Sequence, residues 1–230
     1  MARVQVAVKG ILMAALLSLP LIGQAPEFKA GGVTLSLPGP TNFEESGDRL
    51  RTTLFELLAP STNRLLSAYV PVQTLAELNK GKVPTAGMNV YALVEVPRRA
   101  EYADCTPQVF ESLLSGMESS MGKVASEKVG QVQEEMNIRL KSLGTKPVEF
   151  GHPEMLGGIF KKSDAGGFAM LLAVKQDTGS VTMAAGIAAL RLKQRLIFAY
   201  LYRRYDSPET VALVSKDLET WTDALLAKNQ

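Results

Sequence analysis

IAALRLKQRLIFAYLYRRYDSPETVALVSKDLETWTDALLA, residues 187–227, decides the fold. It reads as a strand, a tight turn at Lys193-Gln194, a long strand and a terminal amphipathic helix. From Leu196 to Leu201 both alternate faces are apolar, with Leu196, Phe198 and Tyr200 on one and Ile197, Ala199 and Leu201 on the other. A strand with two apolar faces belongs in the middle of a sheet covered on both sides. The helix that follows has sound starting chemistry. Ser207 is placed to cap, Pro208 occupies the first helical position where its missing N–H costs nothing, and Glu209 faces the positive helix end. Val211, Val214, Leu218, Trp221 and Leu225 step by three and four, so one face is buried.

Outward from this stretch, Val181–Leu192 supplies the preceding strand, Phe168–Lys175 and Leu156–Lys161 form a hairpin through the glycine-bearing turn 163–167, and Pro147–Phe150 is a further short strand. Thr106-Pro107 opens a second helix, whose apolar positions Phe110, Leu113, Leu114, Met117, Met121, Val124, Val132, Met136 and Leu140 run to the neighbourhood of Gly144, with Gly122 and Gly130 as weak points where it is free to bend or divide. Met88–Val96 is a strand stopped by Pro97, with Val90, Ala92, Val94 and Val96 on one face and Tyr91, Leu93 and Glu95 on the other. Leu75–Lys80 reads as a short helix, Arg64–Pro71 as a strand, Leu50–Leu58 as a strand or a short helix, with Thr52, Thr53 and Phe55 favouring a strand that would be the hairpin partner of 64–71, and Val33–Pro38 as a first strand with one wet face. About eight strands joined mostly by hairpins imply an antiparallel sheet. Two long one-faced helices make the class α+β, the sheet being sandwiched by the central helix and the C-terminal helix.

With 230 residues, 46% hydrophobic and 21% charged, the chain is globular and of single-domain size. Arg3 and Lys9 precede the apolar run Gly10–Gly23, too short for a bilayer span and suited to a secretory signal. The expected organisation is a signal peptide over 1–25, a linker over 26–32 and one domain over 33–230. Removing Arg3 and Lys9 lowers the 25 basic residues to 23, equal to the 23 acidic ones. A neutral exported protein lacks the basic footprint that nucleic acid requires, and only an uncleaved signal segment would hold it to a membrane. Cys105 is the one cysteine, so no internal disulfide exists; a buried thiol, inert as a small hydrophobe, is expected.

Candidate sites are sparse. The sole histidine, His152, excludes a His-rich metal site and reads as a turn or edge residue; with Cys105 it would form a nucleophile–base pair only if the fold joined them. Asp177-Thr178-Gly179-Ser180 matches the short aspartic-protease string, but Lys175 and Gln176 precede it and a polar hairpin turn explains it better. The densest charge cluster, Arg98, Arg99, Glu101 and Asp104, lies in a loop between strand and helix, where binding residues concentrate. Arg191, Lys193, Arg195, Arg203 and Arg204 lie near Tyr200, Tyr202 and Tyr205, a pattern able to bind anions or lipid headgroups, though strand ends in water produce it too. Glycine-rich nucleotide loops, CxxC, HExxH and EF-hand strings are missing, and no cofactor or metal is expected.

The order of parts carries a resemblance. VTLSLP (33–38), the mid-chain helix, the hairpin LRLKQRLIFAYLYRRY (190–205) and the helix SPETVALVSKDLETWTDAL (207–225) resemble the PsbP/DcrB-like superfamily over residues 33–227. The resemblance implies an antiparallel sheet between helices and a non-catalytic accessory role, without shared active-site residues. The leading expectation is an exported, secreted or periplasmic, non-enzymatic protein that binds a protein partner of the cell envelope through the 98–104 loop and the basic rim at Arg203 and Arg204. Two alternatives stand beside it. A small-molecule or lipid-binding module would show an apolar cavity between the long helix and the sheet, lined by Met117, Met121 and Phe110. A hydrolase with an unrecognised site would show clustered carboxylates or a Cys105–His152 contact.

Overall fold

The computed structural model describes residues 27–80, 89–142, 147–176 and 179–230, with side chains in the long helix described at 107–119, 127 and 129–142. The expected signal segment lies outside the described residues, as does the first part of the Asp177–Ser180 string. The elements in chain order are β1 (Glu27–Ala30), β2 (Val33–Ser36), β3 (Phe43–Glu45), α1 (Gly47–Thr53), a 3-10 turn (Phe55–Leu57), β4 (Asn63–Pro71), α2 (Val72–Asn79), β5 (Val90–Pro97), α3 (Pro107–Ser142), β6 (Glu149–Phe150), β7 (Glu154–Lys162), β8 (Ala165–Gln176), β9 (Gly179–Leu192), β10 (Arg195–Arg204) and α4 (Pro208–Ala227). The class is α+β, built on an eight-stranded sheet ordered β3-β4-β5-β10-β9-β8-β6, with β7 beside β6 on the outer edge of β8. Every pairing among the described residues is antiparallel.

Strand β10 is central, as its two apolar faces require. Ile197, Ala199 and Leu201 are fully buried in one core with Leu218, Trp221 and Leu225 of α4. Leu196 and Phe198 face the first turns of α3, in a second core with Phe110, Leu114 and Cys105. Alanine-rich β9 is a poor strand former by propensity, yet it pairs along its full length with β8 and β10. Its small side chains let α4 sit close: a Cβ added at Gly186 would stand 2.9 Å from Val214 Cγ1 and 3.1 Å from Leu218 Cδ2. The turn Lys193-Gln194 has positive φ at both residues (45° and 63°), the geometry of a two-residue hairpin. In α4 the Thr210 hydroxyl accepts the Ser207 N–H (3.4 Å), reciprocating the cap, and Thr210 rather than Val211 is buried in the first turn.

Two expectations are corrected. Residues 27–30 of the supposed linker form β1, which pairs with β2 through a Gly31-Gly32 turn whose φ values are 54° and 80°. This hairpin stands apart from the main sheet and helps α4 cover it, with Ala30, Leu35 and Leu37 fully buried. Leu50–Leu58 is not a strand: α1 and the 3-10 turn place Leu50 and Phe55 against Leu65, Ala68 and Leu93. Accordingly β4 pairs with β3 and β5 rather than with that segment. The thread through 50–58 has helical spacing between Leu50, Leu54 and Leu58, and tertiary burial of that stripe outweighs the strand preference of Thr52, Thr53 and Phe55. The long helix is continuous over 36 residues, through Gly122 and Gly130.

Asn229, just past α4, substitutes for a strand partner of β2. Its Oδ1 accepts the Ser36 N–H (3.0 Å), and its Nδ2 donates to the carbonyls of Ser36 (2.7 Å) and Leu225 (2.8 Å). The Trp221 indole donates to the Pro38 carbonyl (2.6 Å), so the hairpin and α4 are joined at two points. Removing the Asn229 side chain takes a partner from the part-buried N–H and carbonyl of Ser36, so Asn229→Ala is expected to cost about 2 kcal/mol in urea unfolding and to speed amide exchange at Ser36.

Candidate binding site

The charged residues expected to bind a partner are mostly committed internally. Glu101 is buried and accepts hydrogen bonds from Arg64 Nη2 and Nε, while Gly31 donates its N–H to the same carboxylate (3.4 Å). Arg64 also donates to the Lys29 carbonyl (2.7 Å), so this pair clasps the β1–β2 hairpin to the sheet. The Arg64 guanidinium holds the Glu101 carboxyl below the usual carboxylate range. Arg98 donates Nε–H to the carbonyls of Ser61 (3.1 Å) and Asn63 (3.0 Å), fixing the start of β4. Asp104 pairs with Arg195 (2.6 Å). Arg99 is exposed, and a shallow depression of about 670 Å³ opens among Lys29, Arg64, Arg98, Glu101 and the outward-standing Tyr102.

The basic rim does not join this cluster. Arg203 pairs with Asp217 (3.1 Å) and Arg204 with Asp206 (3.6 Å), at the end of β10 opposite Arg195. At strand spacing the two groups are roughly 25 Å apart. Arg191 pairs with Asp164 (2.6 Å) and Lys193 Nζ donates to the Thr34 carbonyl (3.1 Å), so an anion-binding patch over the aromatic residues does not form.

Cys105 is buried with Phe110 and Leu114, its N–H bonded to the Gln194 carbonyl (2.8 Å), and burial pushes its thiol up. Gln194 lies at the Ala165 end of β8, whereas exposed His152 follows Gly151, which bonds to Ala173. That span of β8 is about 26 Å, so the two residues form no catalytic pair. Among the described residues no three His, Cys, Asp or Glu side chains gather as a metal site, and no helix is long and apolar enough to cross a membrane.

A cavity of about 440 Å³ does lie between the long helix and the sheet. Phe110 is packed into the core with Met117 against it, the Met121 side chain lies outside the described residues, and Val132 and Met136 form the described part of the helical wall. The floor is the α3-facing side of the sheet: Tyr91, Leu93 and Glu95 of β5, Tyr200 and Tyr202 of β10, Met183 of β9 and Leu172 of β8. The strand register sets this floor, since Leu93 pairs with Tyr200, Tyr91 with Tyr202, and Met183 with Leu172. Leu54, Leu58 and Pro60 close one side, and Val148 and Phe150 the other.

The walls are pinned. Arg139 Nη1 donates to the carbonyls of Glu56 (2.9 Å) and Ala59 (2.8 Å), and Glu135 accepts the Ser61 N–H (3.1 Å), tying α3 to the 55–61 segment. On the other side Asn137 exchanges two hydrogen bonds of 2.8 Å with the backbone of Val148, and Gln133 accepts the Phe150 N–H (2.5 Å).

Inside this cavity Glu95 is 1% exposed. Its Oε2 accepts from Asn63 Nδ2 at 2.7 Å, and desolvation pushes its carboxyl up to about 7. Tyr91, Tyr200 and Tyr202 form a nearly parallel row, with centroids 4.7 Å apart at 21° for Tyr91–Tyr202 and 6.2 Å at 13° for Tyr200–Tyr202. Burial raises all three phenols, so they stay neutral. No reading of motifs singles out Glu95. The available signal was a lone acidic residue inside VYALVEVP, on a face otherwise tyrosine and leucine.

No family model matches the chain, and no curated protein matches it significantly. Among solved structures it is similar to the Ran-binding protein Mog1p of Saccharomyces cerevisiae, at 14% identity and a TM-score of 0.29 over 90% of this chain and 92% of that one. A point mutant of Mog1 matches at 14% identity and a TM-score of 0.29, over 90% of this chain and 93% of the other. Similarity of this degree assigns neither a family nor a partner.

Glu95 binds its proton more tightly folded than unfolded, because its ordinary value is 4.5 and its folded value about 7. Its contribution is therefore harmless below 4.5, and stability falls as pH rises from 4.5 to 7. Glu95→Gln keeps an acceptor for Asn63 and is expected to remove most of a decline of roughly 2 kcal/mol between about pH 5 and 8, read from urea midpoints at both values.

Proposed function

We propose that this chain is a non-enzymatic binding module that takes a small, largely apolar molecule into the cavity between α3 and the sheet. The observation that carries the reading is the cavity itself: about 440 Å³, apolar-walled, pinned on both sides, with one buried carboxyl in its floor. Ligand sites are commonly of this size, lined by aliphatic and aromatic side chains with few polar groups. The 98–104 loop and the rim at Arg203–Arg204 support a protein partner less well, since their charges, apart from exposed Arg99, are spent on internal bonds. The pattern of residues 1–25 supports an exported chain, and fractionation of the tagged full-length protein tests that part of the proposal.

Titration with the neutral environment-sensitive dye N-phenyl-1-naphthylamine tests the reading. Saturable one-to-one binding is expected, and Leu172→Trp, which fills the cavity from β8, is expected to weaken it about tenfold or more while leaving the fold intact. Fluorescence that fails to saturate, or that Leu172→Trp leaves unchanged in a folded variant, would overturn the reading.

A further inference from the structure

Resting on that reading, we infer that the occupant is an amphiphilic organic cation, a protonated alkylamine or a quaternary ammonium, whose charged head lies against Glu95 and the tyrosine row while its apolar part fills the space under Val132 and Met136. Two observations, read with two general rules, point to this chemistry. The cavity holds a carboxyl that is 1% exposed, with a single amide hydrogen bond from Asn63 as its described polar partner. Three aromatic rings line the same cavity in a nearly parallel row. Tyrosine rings attract ammonium groups, more strongly when water is excluded. A buried carboxylate is costly alone and repaid by a close opposite charge.

No described side chain supplies that charge. From β4, Asn63 and the apolar Leu65 face Glu95, while neighbouring Arg64 is bound to Glu101. From β10 come Phe198, Tyr200 and Tyr202, and Arg203 is paired with Asp217. From α3 come Val132 and Met136; Arg139 is held by the Glu56 and Ala59 carbonyls and by Glu135 at 3.6 Å. The wall from β8 and β9 is apolar, formed by Leu172, Val174, Val181 and Met183. An anionic amphiphile would meet an uncompensated carboxyl here, and a neutral one would leave the carboxyl unused.

The experiment displaces N-phenyl-1-naphthylamine from the full chain with decyltrimethylammonium, decanol and decyl sulfate below their aggregation limits. The quaternary ammonium keeps its charge at every pH, so any pH dependence belongs to the protein. At pH 8 the ammonium is expected to bind about tenfold or more tightly than the other two. Lowering the pH from 8 to 5.5 is expected to weaken it by up to about thirtyfold, the ratio of ionised fractions of a carboxyl titrating near 7. In Glu95→Gln both the preference and the pH dependence should vanish. A flat pH profile in the natural chain, or a cation preference that survives Glu95→Gln, overturns the inference. Decanol binding as well as the ammonium overturns it while leaving the cavity reading intact, whereas failure of the dye and all three amphiphiles to bind overturns both.

Discussion

Ile197, Ala199 and Leu201 point toward α4 while Leu196 and Phe198 point toward α3, and a strand buried on both faces needs both layers present at once. The rest of the architecture follows from meeting that need with unequal covers. On one side α4 packs close against the small residues of β9, helped by the β1–β2 hairpin and fastened through Asn229 and Trp221. On the other side the cover is divided between α1 with its 3-10 turn and the two ends of α3. The cavity occupies the space where these pieces do not meet, over Tyr91, Tyr200 and Glu95.

A carboxyl placed in such a space works against stability. Desolvation opposes its ionised form, the Asn63 amide offsets part of that, and at neutral pH the group stands near the midpoint of its titration. Its neighbours on β5 are alanine, leucine and valine, so an apolar side chain would suit the fold at least as well. A residue that local stability does not require, set in a cavity whose walls are held by hydrogen bonds to backbone, fits a binding role better than a packing role.

The charge clusters illustrate why sites were harder to read than elements. Arg98, Glu101 and Asp104 stand out in the chain because they are close in sequence, but their partners are Asn63, Arg64 and Arg195, brought in by strand pairing and the hairpin. Arg203 and Arg204 look like a basic rim until Asp217 and Asp206 are placed beside them. The cavity is drawn from several distant segments of the chain, so no local string announces it. Glu95 was visible only as an anomaly of alternation within a strand.

The sequence by itself determined the central hairpin, the capped terminal helix, the long helix from Pro107 and hence the α+β class, because periodicity and capping are local and each was strong. Only the tertiary structure decided that 27–30 is a strand and 50–57 helical, since both stretches are short, locally ambiguous and resolved by what they bury. It likewise decided which charges are neutralised and where a void remains, because both depend on side chains that approach from distant parts of the chain. The stretch 187–227 fixed the scaffold, and the register it imposes on β5 sets Tyr91, Tyr200, Tyr202 and Glu95 into one cavity.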